Sequence, residues 1–72
     1  MPRKIRQLRA DLRRAGWNVV RQAGSHQIWK HPLLQGSEVN LAGQDRSDAH
    51  QYQERDVRDA VQQARNAQRR QP

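Results

Sequence analysis

The chain has 72 residues, 33% of them hydrophobic, with two tryptophans, one tyrosine and no phenylalanine, so it holds one small domain whose thin core depends on each large side chain. With no cysteine it can have neither a disulfide framework nor thiolate metal sites, and no apolar run approaches the roughly 18 residues a membrane span needs. Fourteen Lys and Arg against seven Asp and Glu give a net charge of +7, and twelve of the fourteen are arginine, whose planar fork of donors suits phosphate oxygens.

From Arg3 to Ala15 the apolar residues Ile5, Leu8, Leu12 and Ala15 recur at spacings of three, four and three, which predicts a helix with one buried stripe. Gly16 supplies the residue for a left-handed helix end. Arg6, Arg9 and Arg13 form a second stripe beside the apolar one, so this helix presents guanidinium groups at its rim. Residues 17–22, WNVVRQ, read as a strand, and residues 26–31, HQIWKH, as a second, with a bend at Ala23 to Ser25 making a hairpin. Within the second strand His26, Ile28 and Lys30 share one face and Gln27, Trp29 and His31 the other; parity alone leaves open which set meets the core. Residues 37–42, SEVNLA, alternate cleanly as a third strand, with Val39 and Leu41 on one face and Glu38 and Asn40 on the other. Residues 43–52 carry no period and read as a loop. Val57, Ala60, Val61 and Ala64 then mark a final helix, and the closing run RNAQRRQP reads as a fraying polar tail.

The predicted fold is therefore α+β in the order α-β-β-β-α, with both helices on one face of a three-stranded antiparallel sheet and a single domain over residues 1–68 ahead of a polar tail, 69–72. Charge is not spread evenly along it. Residues 1–31 carry eight basic and one acidic side chain, whereas residues 32–72 carry six of each. A one-sided positive field on so small a domain favours a polyanion, nucleic acid above all.

Residues 4–32, KIRQLRADLRRAGWNVVRQAGSHQIWKHP, resemble the HicA family of small toxins in the helix ending Ala15-Gly16-Trp17, the strand with Val20 and Arg21, the Gly24-Ser25-His26 turn and the closing His31-Pro32. The resemblance implies a fold similar to double-stranded RNA-binding domains. It also implies a metal-independent endoribonuclease that cuts mRNA and needs no cofactor, with His26 catalytic and a HicB-type antitoxin covering it in the bacterial or archaeal cytoplasm. Gly24 and Ser25 would shape the bend that presents His26. Where the family often shows a proline and a histidine after the third strand, this chain has LAGQDRSDAHQY instead.

The chemistry is consistent with the residues themselves. RNA supplies its own nucleophile, the 2′-hydroxyl, so cleavage needs a group that moves a proton and positive charge near the phosphate. His26 suits the first role, while Arg6, Arg9, Arg13, Arg21 and Lys30, with the Ser25 hydroxyl, are the expected RNA-binding set. Gly16 and Gly24 are expected as structural turn residues. His31, before proline, reads as a surface side chain and His50 as a solvated loop residue; their spacings match no compact metal motif. The alternative is a non-catalytic RNA-binding module of the same fold, and a third reading is a protein-docking domain.

Overall fold

In the computed structural model, which describes residues 2–70, the elements are α1 (Ile5–Arg14), β1 (Asn18–Ala23), β2 (His26–Lys30), β3 (Glu38–Leu41) and α2 (Gln51–Arg69). The strands form one antiparallel sheet in the order β1-β2-β3, and both helices pack on one of its faces. This is the α+β, double-stranded-RNA-binding-domain-like arrangement expected from the sequence.

The core shows why. Ile5, Leu8 and Leu12 of α1 are buried, as are Val57, Ala60 and Ala64 of α2, and between them lie Trp17, Trp29, Val39 and Leu41. Trp29 pairs across the sheet with Val19 on one side and Val39 on the other, so three apolar residues meet the helices at one level. The choice left open by strand parity is thereby made: Trp29 fills the core, and Ile28 lies half-buried on the open face. The indole N–H of Trp17 donates to the carbonyl oxygen of Ala60 at 3.2 Å, which fixes α2 against the start of β1.

Both helix starts are satisfied by the same device. Gln7 accepts from the backbone N–H of Lys4, and Gln53 accepts from that of His50, each at 2.8 Å. The next free amides of α1 are taken by the segment after β3: Ile5 N–H donates to the Ser47 oxygen at 2.9 Å and Arg6 N–H to the Asp45 oxygen at 3.1 Å. The aperiodic stretch is therefore a cap for α1.

Two boundaries differ from expectation. The Gln53 cap begins α2 at Gln51, inside the stretch read as loop, and the helix continues through Arg69, so the polar run from Arg65 is helical. Ala64 is fully buried and Gln68 Nε2 donates to the Ala15 oxygen at 3.3 Å, which anchors turns whose composition alone would fray. Of the predicted tail, Gln71 and Pro72 lie outside the described residues.

Candidate active site

The β1–β2 hairpin turns in two residues, Gly24 and Ser25, with Ala23 paired to His26. Gly24 has φ +60° and Ser25 a negative φ, the pattern of a type II′ turn, whose first position calls for glycine. His26 is thus the first paired residue of β2. It is exposed, on the sheet face that the helices leave open, together with Ile28 and Lys30. Among the described residues its ring makes no hydrogen bond to protein.

A bulge decides what stands beside it. Val19 pairs with Trp29 and Arg21 with Ile28, so Val20 is an extra residue with no partner, 57% exposed. Strict alternation would send Val19 and Arg21 to the same face. The bulge instead puts Val19 in the core and Arg21 opposite Ile28 on the open face, diagonal to His26 at a spacing of about 7–8 Å between Cα atoms. Lys30 shares this face about 13 Å along the strand, where its Nζ lies 3.6 Å from Glu38 Oε1 in an exposed ion pair.

The helix arginines divide differently from the expected RNA-binding set. Arg6 and Arg13 are exposed, and the Arg13 guanidinium lies 5.4 Å from the centroid of Trp29. Arg9 does not line an open surface. It is 8% exposed, its Nη1 is ion-paired with Asp45, and its Nη2 donates to the carbonyl oxygens of Gly43 at 2.7 Å and Ser25 at 3.3 Å. A single guanidinium therefore ties α1 to the turn that carries His26 and to the segment that caps α1. The sequence signal for this was available only in part: Arg9 adjoins Leu8 and Leu12 on the helix surface, but its partner Asp45 is 36 residues away.

At the other end of β2 stands a lock that the sequence reading missed. His31, expected at the surface, is 4% exposed. Its Nδ1 accepts from the Leu33 N–H at 3.1 Å, so Nε2 carries the proton and donates to the Ala15 oxygen at 2.9 Å. The ring also packs edge-on against Trp17, 5.4 Å between centroids at 74°. Gly16 has φ +97°, and a Cβ there would stand 2.7 Å from His31 Nε2, so both the backbone and the imidazole require glycine. Proline after His31 bends the chain so that Leu33 N–H reaches back to the ring. His50, by contrast, is exposed as expected; it is the residue before α2, and its ring stacks on that of Tyr52, 5.7 Å between centroids.

The motif residues thus sort into two sets at opposite ends of one hairpin: a buried lock of Ala15, Gly16, Trp17 and His31, and an exposed turn of Gly24, Ser25 and His26. A model of the family described as HicA toxin of bacterial toxin-antitoxin matches residues 5–64, which takes in both sets and all five elements, α2 as far as Ala64. The chain belongs to the HicA family. It is accordingly a toxin of a toxin–antitoxin pair, with an antitoxin for its partner. No curated protein and no solved structure matches it. Asn40, paired with Ile28, completes the open face of this HicA domain; sequence parity placed it with Glu38, but only the strand pairing puts it beside the hairpin. Among the described residues no group of three or more His, Asp or Glu is placed to hold a metal ion, and no helix is long and apolar enough to cross a membrane.

Proposed function

We infer that this toxin is an endoribonuclease that cleaves cytoplasmic mRNA, with His26 moving the proton and a HicB-type antitoxin as its silencing partner. The observation that carries the reading is the exposed, unengaged imidazole at a braced turn, with Arg21 turned onto the same face.

In this reaction the 2′-oxygen of the RNA attacks the neighbouring phosphorus, forming a P–O2′ bond as the P–O5′ bond breaks. A proton leaves the 2′-hydroxyl and another is delivered to the departing 5′-oxygen. His26 carries out one of these transfers and a water molecule the other. Arg21 is close enough to offer N–H donors to the phosphoryl oxygens as charge builds on them. Ser25, Lys30, Arg6 and Arg13 hold the strand on either side of the scissile bond, and Arg9 keeps the turn in place without touching RNA. No cofactor or metal is needed for these steps, because nucleophile, proton carriers and positive charge are all supplied by the substrate, the hairpin and water.

Expression of the wild-type chain and of His26→Ala in a bacterial host tests the reading. Growth arrest and loss of mRNA are expected with the wild type and not with the variant. Equal growth and equal mRNA in both cultures would defeat it. An RNA-binding module without activity, the alternative of the same fold, predicts intact RNA at all times and binding that survives His26→Ala.

A further inference from the structure

The second half of the chain is neutral overall, yet α2 is divided lengthwise by charge. Arg55, Arg58, Gln62, Arg65 and Arg69 recur at three, four, three and four, a stripe along one side. Asp56, Asp59 and Gln63 face the other way, lining a hollow beside β3 with Glu38. The basic side borders a groove of about 420 Å³ between α1 and α2 to which no strand contributes, so it opens on the outer surface of the helical layer, away from the sheet face that carries His26.

The groove has a definite charge pattern. On the α1 side Asp11 is ion-paired with Arg3 and lies 3.6 Å from Arg14, and the Arg3 guanidinium is held firmly protonated, chiefly by its hydrogen bond to Asp11. Those groups, with Glu54, balance one another. What remains unbalanced is Arg58 and Arg65, both exposed, two helical turns and about 10.5 Å apart along the axis. Arg58 has only a marginal contact, 4.0 Å, to its neighbour Asp59. Val61 lies between the two arginines, part-buried over Val57.

We propose that this groove is a docking site for the antitoxin, taking an acidic amphipathic helix with carboxylates at positions i and i+7 and an apolar side chain at i+3 or i+4. The carboxylates meet Arg58 and Arg65, and the apolar residue covers Val61. Substrate RNA fits the groove less well. A phosphate backbone offers no apolar group to cover Val61 between the two arginines, and the groove lies between the helices, not beside the turn that carries His26. An amphipathic helix of a protein partner meets both the charge and the apolar surface, and its grip here is independent of the face where catalysis is placed. The proposal rests on the antitoxin partnership and not on the nuclease reading.

The test uses the purified full-length chain and the purified product of the adjacent reading frame as the antitoxin probe, with affinity as the readout. Arg58→Glu/Arg65→Glu is expected to weaken antitoxin binding by roughly tenfold or more, while Arg46→Glu, an exposed arginine away from the groove, changes it little. His26→Ala should bind the antitoxin as the wild type does, and the double variant should keep wild-type affinity for a single-stranded RNA oligonucleotide. Because both arginines are exposed, matching thermal melts are expected for all variants. Undiminished antitoxin affinity in the double variant would overturn the proposal. So would loss of RNA affinity with antitoxin binding intact, or no binding by the wild-type chain. Absence of RNA cleavage would bear on the nuclease reading alone.

Discussion

At the scale of single residues, two histidines five positions apart have opposite environments. His26 is exposed and its ring makes no hydrogen bond or ion pair among the described residues, so His26→Ala should leave the urea midpoint nearly unchanged, within about 0.5 kcal/mol, while cleavage falls on the order of 100- to 10,000-fold. His31 is buried with both ring nitrogens bonded, and His31→Ala strips a partner from Leu33 N–H and from the Ala15 oxygen and removes packing against Trp17. A loss of about 2–4 kcal/mol is expected by urea melts, with activity recovered wherever the variant is folded. Arg9 is a second such contrast. Arg9→Ala deprives two carbonyls and the turn of their donor, at a cost of about 2–3 kcal/mol, whereas Asp45→Ala, at an ion-pair partner that is 69% exposed, should cost under about 1 kcal/mol. If the two melts shifted equally, the ion pair rather than the carbonyl bonds would be what holds the turn.

At the scale of elements, the caps and the bulge matter most. Gln7 and Gln53 make the same bond to the residue before their helix, but Gln7 is exposed while Gln53 is buried and also donates to the Ala42 oxygen at 2.8 Å. Gln53→Ala should therefore destabilise by about 1–3 kcal/mol and Gln7→Ala by under about 1 kcal/mol, a difference that paired denaturation curves would reveal. The bulge permits a sharper test. Deleting Val20 leaves Val19 opposite Trp29 and Arg21 opposite Ile28 in a regular ladder, so the variant should melt cooperatively and still cut RNA. A folded but inactive deletion would mean that the extra twist of the bulge, and not simply the face it assigns to Arg21, sets the site.

For the whole molecule, charge is reorganised by folding. Of the eight basic side chains in the first 31 residues, Lys4, Arg9 and Lys30 are paired with Asp48, Asp45 and Glu38 from the second half, and Arg3 and Arg14 share Asp11. Arg6, Arg13 and Arg21 have no ion pair among the described residues. The positive excess of the first half is thus narrower in space than in sequence, and the neutral second half conceals a basic side of α2. RNA affinity should fall with salt, and Arg21→Ala should flatten the log–log slope by about 0.7, the contribution of one phosphate on a single strand. Arg9→Lys in a folded background should leave that slope unchanged, because residue 9 is enclosed by protein.

Local periodicity was enough to determine the element order, the buried stripes of both helices, the hairpin with glycine at its turn, and the Gly-Ser-His signature, since each depends on residues within a few positions of one another. Strand parity narrowed His26 to one of two faces and could go no further, because the choice between Ile28 and Trp29 depends on which is met by Val19, Val39 and the helices. The bulge that turns Arg21 outward, the burial of Arg9 and His31, and which side of α2 borders the groove with α1 were decided by tertiary structure alone. Each arises from partners brought together by folding, and a pattern of spacings carries no record of such distant neighbours.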